Sequence, residues 1–241
     1  MIRDEVQLIL LGWSYKNTPV EVRDNLSLDS EQIRLFILES NSKTDIIEIG
    51  IVSTCNRTEF YIVSKSNQNI VNWIKDCYLR IKEVQISNSY SPYIAYNSQT
   101  VKHLFSVASG MKSMMLGENQ ILSQIKSSYD ILITSNQNAP ILSYLFRDAI
   151  RAGKAVRSHT KLCKGAVSVS FAAVELSRKI FFDIPKRKIL LVGAGDTSVL
   201  VAKHFKNLGA INITIANRGK KRREMLAKKI QGASIPLYKI T

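Results

Sequence analysis

The chain has 241 residues, 45% of them apolar, which is enough to bury one large core or two ordinary ones. Its 34 Lys and Arg against 19 Asp and Glu leave a formal charge of +15, pointing to an anionic partner, nucleic acid before membrane. No apolar run approaches the roughly 20 residues of a membrane span, Arg3, Asp4 and Glu5 stand where a signal peptide would be greasy, and three cysteines and three histidines show no disulfide or metal-ligand spacing.

A cytoplasmic protein without a metal site is therefore expected. In chain order, Val6 to Gly12 reads as a buried strand, and Thr18-Pro19-Val20-Glu21 as a helix start with Thr18 as cap and Pro19 at the first helical position. A helix follows from Asp29 to Ser40. Ile46 to Ser53 and Thr58 to Ser64 are β-branched and aromatic strand runs, so Cys55 falls at a strand end or tight turn between them. With a helix from Asn69 to Val84 and a strand near Tyr93, this part reads as an α+β domain of ferredoxin-like type with an antiparallel sheet.

From Gln99 to Phe182 the pattern is helical, over Thr100–Ser109, Asn119–Thr134, Ile141–Ser158 and Val167–Phe182, punctuated by Gly110, Pro140 and Pro185. Arg147, Arg151, Lys154, Arg157 and Lys161 recur at helical spacing and would line one face. Then Lys188 to Val192 is a strand that runs into Gly193-Ala194-Gly195-Asp196-Thr197-Ser198, a helix and a second strand, Ile211 to Ala216. This is a βαβ unit of dinucleotide-binding type. Gly193 and Gly195 allow close approach of a phosphate to backbone N–H groups at the helix start, and Ser198 stands where a third glycine is usual. After the second strand come Asn217 and Arg218 instead of Asp or Glu. A carboxylate would repel a 2′-phosphate and an arginine can grip it, so the expected cofactor is NADPH.

Cys55 has Arg57 two residues on, a cation that could lower the thiol pKa, and Arg57 and Glu59 are charges inside an apolar run, which suggests a polar pocket. Ser53-Thr54-Cys55-Asn56-Arg57-Thr58-Glu59 resembles the signature of glutamyl-tRNA reductases. The blocks His103 to Ser113, Leu116 to Leu122 and Ala166 to Ala173, and the loop at Gly193, resemble that family's further blocks in the same order. Departures include Tyr15 for a common His, Asn119 for Pro, Gly165 for Ser and Gly219 for Thr.

The resemblance implies a cytoplasmic oxidoreductase of tetrapyrrole (porphyrin, haem) biosynthesis, reducing glutamyl-tRNA(Glu) to glutamate-1-semialdehyde with NADPH. Cys55 would be the nucleophile that forms the glutamyl thioester and His103 the second catalytic residue. Thr54, Asn56, Arg57, Glu59, Ser113, Glu118, Asn119, Gln120 and Gln124 would contact substrate, and Gly193, Ala194, Gly195, Asp196, Thr197, Ser198, Asn217 and Arg218 the cofactor. Residues 1–146 would form the catalytic, glutamyl-tRNA-binding domain, 147–184 connecting helices, and 185–241 a partial Rossmann domain. Glutamate-1-semialdehyde aminomutase is an expected partner by the same resemblance, and a homodimer is what it implies for the full-length family, whose helical dimerisation region would follow the cofactor domain. The chain stops at Thr241, after at most a third strand near Ile235-Pro236-Leu237. By the resemblance it would be a fragment, a decayed gene product or an enzyme completed by another chain, and the alternative function would be that of a remnant that binds glutamyl-tRNA and hydrolyses the thioester unreduced.

Overall fold

Successive residues of the first strand, β1 (Gln7–Ser14), are buried on both sides, so the sheet must be covered on two faces. In this computed structural model, which describes residues 6–240 apart from 67, 119, 136–137, 161 and 163–168, two helical layers do this. Ile9, Leu11 and Trp13 pack with α1 (Val20–Leu26), α2 (Ser30–Ser40) and α3 (Ile70–Lys82). Leu10, Val52, Tyr61 and Val63 pack with α4 (Asn97–Ala108), α5 (Gln120–Thr134) and α6 (Pro140–His159). The sheet has the order β2 (Ile46–Thr54), β3 (Arg57–Ser64), β1, β4 (Tyr93–Tyr96), with every neighbour antiparallel. Strand order and the sequence β-α-α-β-β-α-β are those of the ferredoxin-like arrangement, with α4 to α6 added over the second face.

The chain forms two compact units, 1–166 and 167–241. The division falls after α6, whose Leu142, Leu145, Phe146, Ala149 and Ile150 belong to the first unit's core, and before α7 (Val169–Ile180), whose Val174 belongs to the second. Residues 147–184 fall on both sides of this division. The second unit is a parallel sheet of β5 (Lys188–Val192), β6 (Asn212–Asn217) and β7 (Ala233–Pro236), with α8 (Asp196–Asn207) and α9 (Lys220–Ile230) as crossovers. It corresponds to one half of a doubly wound Rossmann sheet.

Two local expectations need correction. The first helix starts at Val20, with Pro19 in the cap position and no side-chain cap hydrogen bond; Thr18 instead bonds Asn17. Helix α9, Lys-Lys-Arg-Arg-Glu-Met-Leu-Ala-Lys-Lys-Ile, was not expected, because only Leu226, Ala227 and Ile230 of its apolar residues are buried and its charge resembles a solvated loop. Among the described residues, no helix is long and apolar enough to cross a membrane.

Candidate active site

Cys55 and Asn56 form a two-residue turn between β2 and β3, closed by the Thr54 and Arg57 pair. Thr54 Oγ1 accepts from the N–H groups of Asn56 and Arg57, both at 3.2 Å, which pins the turn. Tyr15 N–H donates to the Asn56 carbonyl (2.9 Å), and Arg23 Nη1 donates to the Cys55 carbonyl and to Asn56 Oδ1, each at 3.2 Å. The Cys55 residue is exposed. Its thiol pKa is raised, by partial desolvation first and then by the Glu118 carboxylate, while a backbone hydrogen bond and Arg23 pull the other way. The expectation that Arg57 activates this thiol is therefore corrected. The cation that favours the thiolate is Arg23, 32 positions away in sequence, and in the free protein the thiol form is favoured.

Arg57 is committed elsewhere. Arg57, Glu59 and Tyr61 alternate along β3 and so share one face of the sheet. Glu59 lies opposite Gly12 on β1, and Gly12 lies opposite Tyr93 on β4. A Cβ at Gly12 would come within 2.7 Å of the Tyr93 ring, so the glycine leaves the room through which Tyr93 reaches Glu59. Glu59 is fully buried (0% exposed) and accepts from Arg57 Nη1 (2.8 Å), Tyr61 Oη (2.7 Å), Tyr93 Oη (2.6 Å) and His103 Nε2 (2.8 Å). Burial alone would raise its pKa, but the His103 hydrogen bond and the Arg57 charge outweigh it and hold the carboxyl at about 2. Its oxygens are thus occupied by four donors of the protein itself, and Glu59 anchors the cluster. Arg57, 3% exposed, sends its other amino group to the Lys112 carbonyl.

Lys112 sits in a loop from Gly110 to Glu118 that closes on itself: Gly110 and Gly117 have φ of 76° and 77°, and Gly117 N–H donates to the Gly110 carbonyl (3.0 Å). A Cβ on Gly110 would meet Gly117 Cα at 3.0 Å. Lys112 Nζ lies 3.0 Å from His103 Nδ1, and burial lowers its pKa, with Glu59 opposing and Lys16 and Arg57 adding to the effect. Ser113 is 8% exposed, and its Oγ has no hydrogen-bond partner among the described residues, while its carbonyl accepts from Tyr15 Oη (3.3 Å). Glu118 is half-buried, with its pKa raised by burial against the pull of Arg57, and its carbonyl accepts from Arg157 Nη2 of α6 (3.1 Å). Gln120 and Gln124 lie one turn apart on the same side of α5. Asn119 is outside the described residues. Ser14, Tyr15, Lys16, Arg57, Tyr93, His103 and Lys112 border a cavity of about 330 Å³. Tyr93, Lys112 and Arg23 were missed by sequence reasoning. Lys112 at least lay inside a recognised block, whereas Tyr93 and Arg23 carried no local signal.

On α6, Arg147, Arg151 and Lys154 are exposed, the Arg147 guanidinium lies 4.6 Å over the Tyr144 ring, and Asp148 is 3.4 Å from Arg151. Arg157 turns inward to Glu118, and Lys161 is outside the described residues.

In the second unit, Gly193 has φ of 106° and donates its N–H to the Ala216 carbonyl (2.7 Å), so the loop leaves β5 in a conformation that favours glycine. Gly195 caps α8, and a Cβ built on it meets nothing within 4 Å, leaving open space at the helix N-terminus. Asp196, Thr197 and Ser198 form its first turn, with Thr197's carbonyl accepting from Ser170 Oγ (3.4 Å). Asn217 Nδ2 bonds the Gly219 carbonyl (3.2 Å), and Arg218 is exposed at the end of β6. A cavity of about 420 Å³ is bordered by Ala194, Gly195, Asp196, Arg222 and Lys229. The last two are cations on α9, invisible to a reading that had no helix there. Open backbone N–H groups with cations alongside fit a phosphate-bearing dinucleotide.

Taken by themselves, the units define a class: an α+β unit presenting an exposed thiol on a pinned hairpin, and a Rossmann-like nucleotide-binding half. The family model described as "Glutamyl-tRNAGlu reductase, N-terminal domain" matches residues 11–160, and "Shikimate / quinate 5-dehydrogenase" matches residues 175–241. The chain belongs to the glutamyl-tRNA reductase family. It is 38% identical over 228 residues to the glutamyl-tRNA reductase of Chlorobaculum parvum, covering 93% of this chain and 53% of that protein. With that of Halalkalibacterium halodurans it is 34% identical over 246 residues, covering 98% and 52%. A solved glutamyl-tRNA reductase from Methanopyrus kandleri superposes with a TM-score of 0.61 at 29% identity, over 95% of this chain and 54% of that one. The chain thus spans about half the length of the curated relatives it matches.

Proposed function

We propose that this chain carries the glutamyl-accepting site of a glutamyl-tRNA reductase and the first half of its NADPH site, for the step that supplies glutamate-1-semialdehyde to tetrapyrrole synthesis. The observation that carries this reading is the exposed Cys55 on a turn held by Thr54, Arg23 and Tyr15, inside the matched family region. Cys55 Sγ attacks the ester carbonyl joining glutamate to tRNA. The C–S bond forms, the ester C–O bond breaks, and the thiol proton ends on the released ribose hydroxyl. Ser113 Oγ, Glu118 and Gln120 offer polar groups to the glutamyl moiety, and the basic face of α6 with Tyr144 suits an RNA backbone and base. NADPH, when bound at the glycine loop, supplies the hydride that turns the thioester carbon into an aldehyde. Arg218, exposed at the end of β6, favours the 2′-phosphate, and Arg222 and Lys229 border the cavity at the glycine loop. The reactive aldehyde makes the aminomutase that consumes it a fitting partner, and a homodimer belongs to the same reading.

Intact-mass analysis after mixing with glutamyl-tRNA tests the assignment. A glutamyl adduct cleaved by hydroxylamine is expected on the wild type and not on Cys55→Ala, whereas Cys77, fully buried in the core, stays unmodified. An adduct that persists in Cys55→Ala overturns it. A second reading rests on the second unit's three-stranded sheet: these 241 residues take up glutamate and lose it to water unreduced.

A further inference from the structure

His103 has both ring nitrogens engaged, and the partners decide where its proton sits. Nε2 faces Glu59 Oε1 at 2.8 Å, and Nδ1 faces Lys112 Nζ at 3.0 Å. A lysine ammonium has donors and no acceptor, so Nδ1 must be the accepting nitrogen. Glu59 also receives a guanidinium and two phenol hydroxyls, an environment that only a carboxylate satisfies, so Nε2 must carry the hydrogen. The contacts form a closed ring: Arg57 joins Glu59 to the Lys112 carbonyl, Lys112 joins His103, and His103 returns to Glu59.

We propose that Lys112 is a positioning residue that locks His103 as the neutral Nε2–H tautomer and so readies it beside the glutamyl-accepting site. The inference rests on the reading of that site as glutamyl-accepting. Lys112 acts through its side chain, since the Arg57 contact is to its carbonyl and survives substitution. Lys112 and His103 both border the 330 Å³ cavity, so the pair faces whatever enters there.

Long-range proton–nitrogen NMR of the 15N-labelled 241-residue protein decides it, with only three histidines to assign and His103→Gln to identify the signal. The wild type should show His103 with a bare Nδ1 and a protonated Nε2. In Lys112→Met, Nδ1 has lost its donor while the carboxylate remains across the ring, and its signal should move toward the protonated position. Lys112→Arg keeps a donor and should restore the wild-type pattern. The rate of Cys55 acylation by glutamyl-tRNA should fall about tenfold or more in Lys112→Met and largely recover in Lys112→Arg, with RNA affinity unchanged. An Nδ1 signal identical in wild type and Lys112→Met, or an unchanged acylation rate beside a changed signal, overturns the proposal. If the wild type forms no adduct at all, the reading of the site fails, and the NMR comparison still judges the tautomer lock.

Discussion

At the scale of single residues, the site is organised around a carboxylate that faces no solvent. Glu59 has its pKa held at about 2 against an ordinary 4.5, so the folded state binds its proton less readily than the unfolded chain. The stability this confers is complete above about pH 4.5 and is lost as pH falls from there toward 2, an effect on the order of 3 kcal/mol. Urea titrations at intervals between pH 5 and pH 2 should show that loss. Glu59→Gln should flatten the dependence and at neutral pH cost about 3–5 kcal/mol, because Arg57 would be left buried and unpaired. A stability of Glu59→Gln that still falls over that window as in the wild type would remove Glu59 from its cause. The sequence made Cys55 legible, since its neighbours form a recognisable block, and it marked Arg57 and Glu59 as charges out of place in a strand. It could not show that the two pair with each other, because that depends on where Tyr93, His103 and Lys112 arrive from 34 to 55 positions away. The lesson is physical: register across the sheet puts Glu59, Gly12 and Tyr93 in one row, and register is not written in any one segment.

At the scale of elements, the strands and long helices followed their periodicity, and the exceptions lie where a partner from elsewhere replaces a local signal. Helix α6 begins at Pro140 behind Ala139, which cannot cap it. Its first N–H groups are met by Glu48 of β2, whose Oε1 accepts from Ile141 (3.0 Å) and Oε2 from Leu142 (2.7 Å). A buried carboxylate at a helix N-terminus satisfies orphan donors and complements the helix dipole. In the sequence Glu48 looks like a misplaced charge in a strand. Glu48→Ala should destabilise the first unit by about 1–2 kcal/mol, as loss of an N-cap does. Chemical denaturation followed by tryptophan fluorescence from Trp13 and Trp73 measures it, and an unchanged midpoint would show that the cap contributes nothing. The same helix approaches α4 at Gly153, where a Cβ would lie 2.6 Å from the Ala108 carbonyl oxygen. That contact helps to hold α6, and with it Arg157, which carries the Glu118 carbonyl.

At the scale of the whole molecule, the two units divide the proposed reaction between them. Cys55, His103, Ser113 and Glu118 all lie in residues 1–166, so acylation draws on the first unit alone. Hydride transfer needs a nicotinamide held about 3–3.5 Å from the thioester carbon, and dinucleotides bind across the point where a doubly wound sheet reverses its strand order. In residues 167–241 the sheet runs β5, β6, β7 in one direction, and β5 forms an edge where Leu190 and Val192 are exposed. The glycine loop and the cations of α9 lie on the side that is built, where in the proposed reading they would take the phosphates; the opposite side of β5, where the reactive ring would rest, has no strand among the described residues. The 241-residue polypeptide should therefore bind NADPH weakly through its phosphates and form the Cys55 thioester. Given glutamyl-tRNA and NADPH, it should release free glutamate at a rate that NADPH hardly alters. Chromatography of the released amino acid, together with loss of NADPH absorbance, distinguishes the products. Formation of glutamate-1-semialdehyde by this polypeptide alone would overturn the prediction, and would mean that the three-stranded unit positions the ring by contacts outside the usual two-sided crevice.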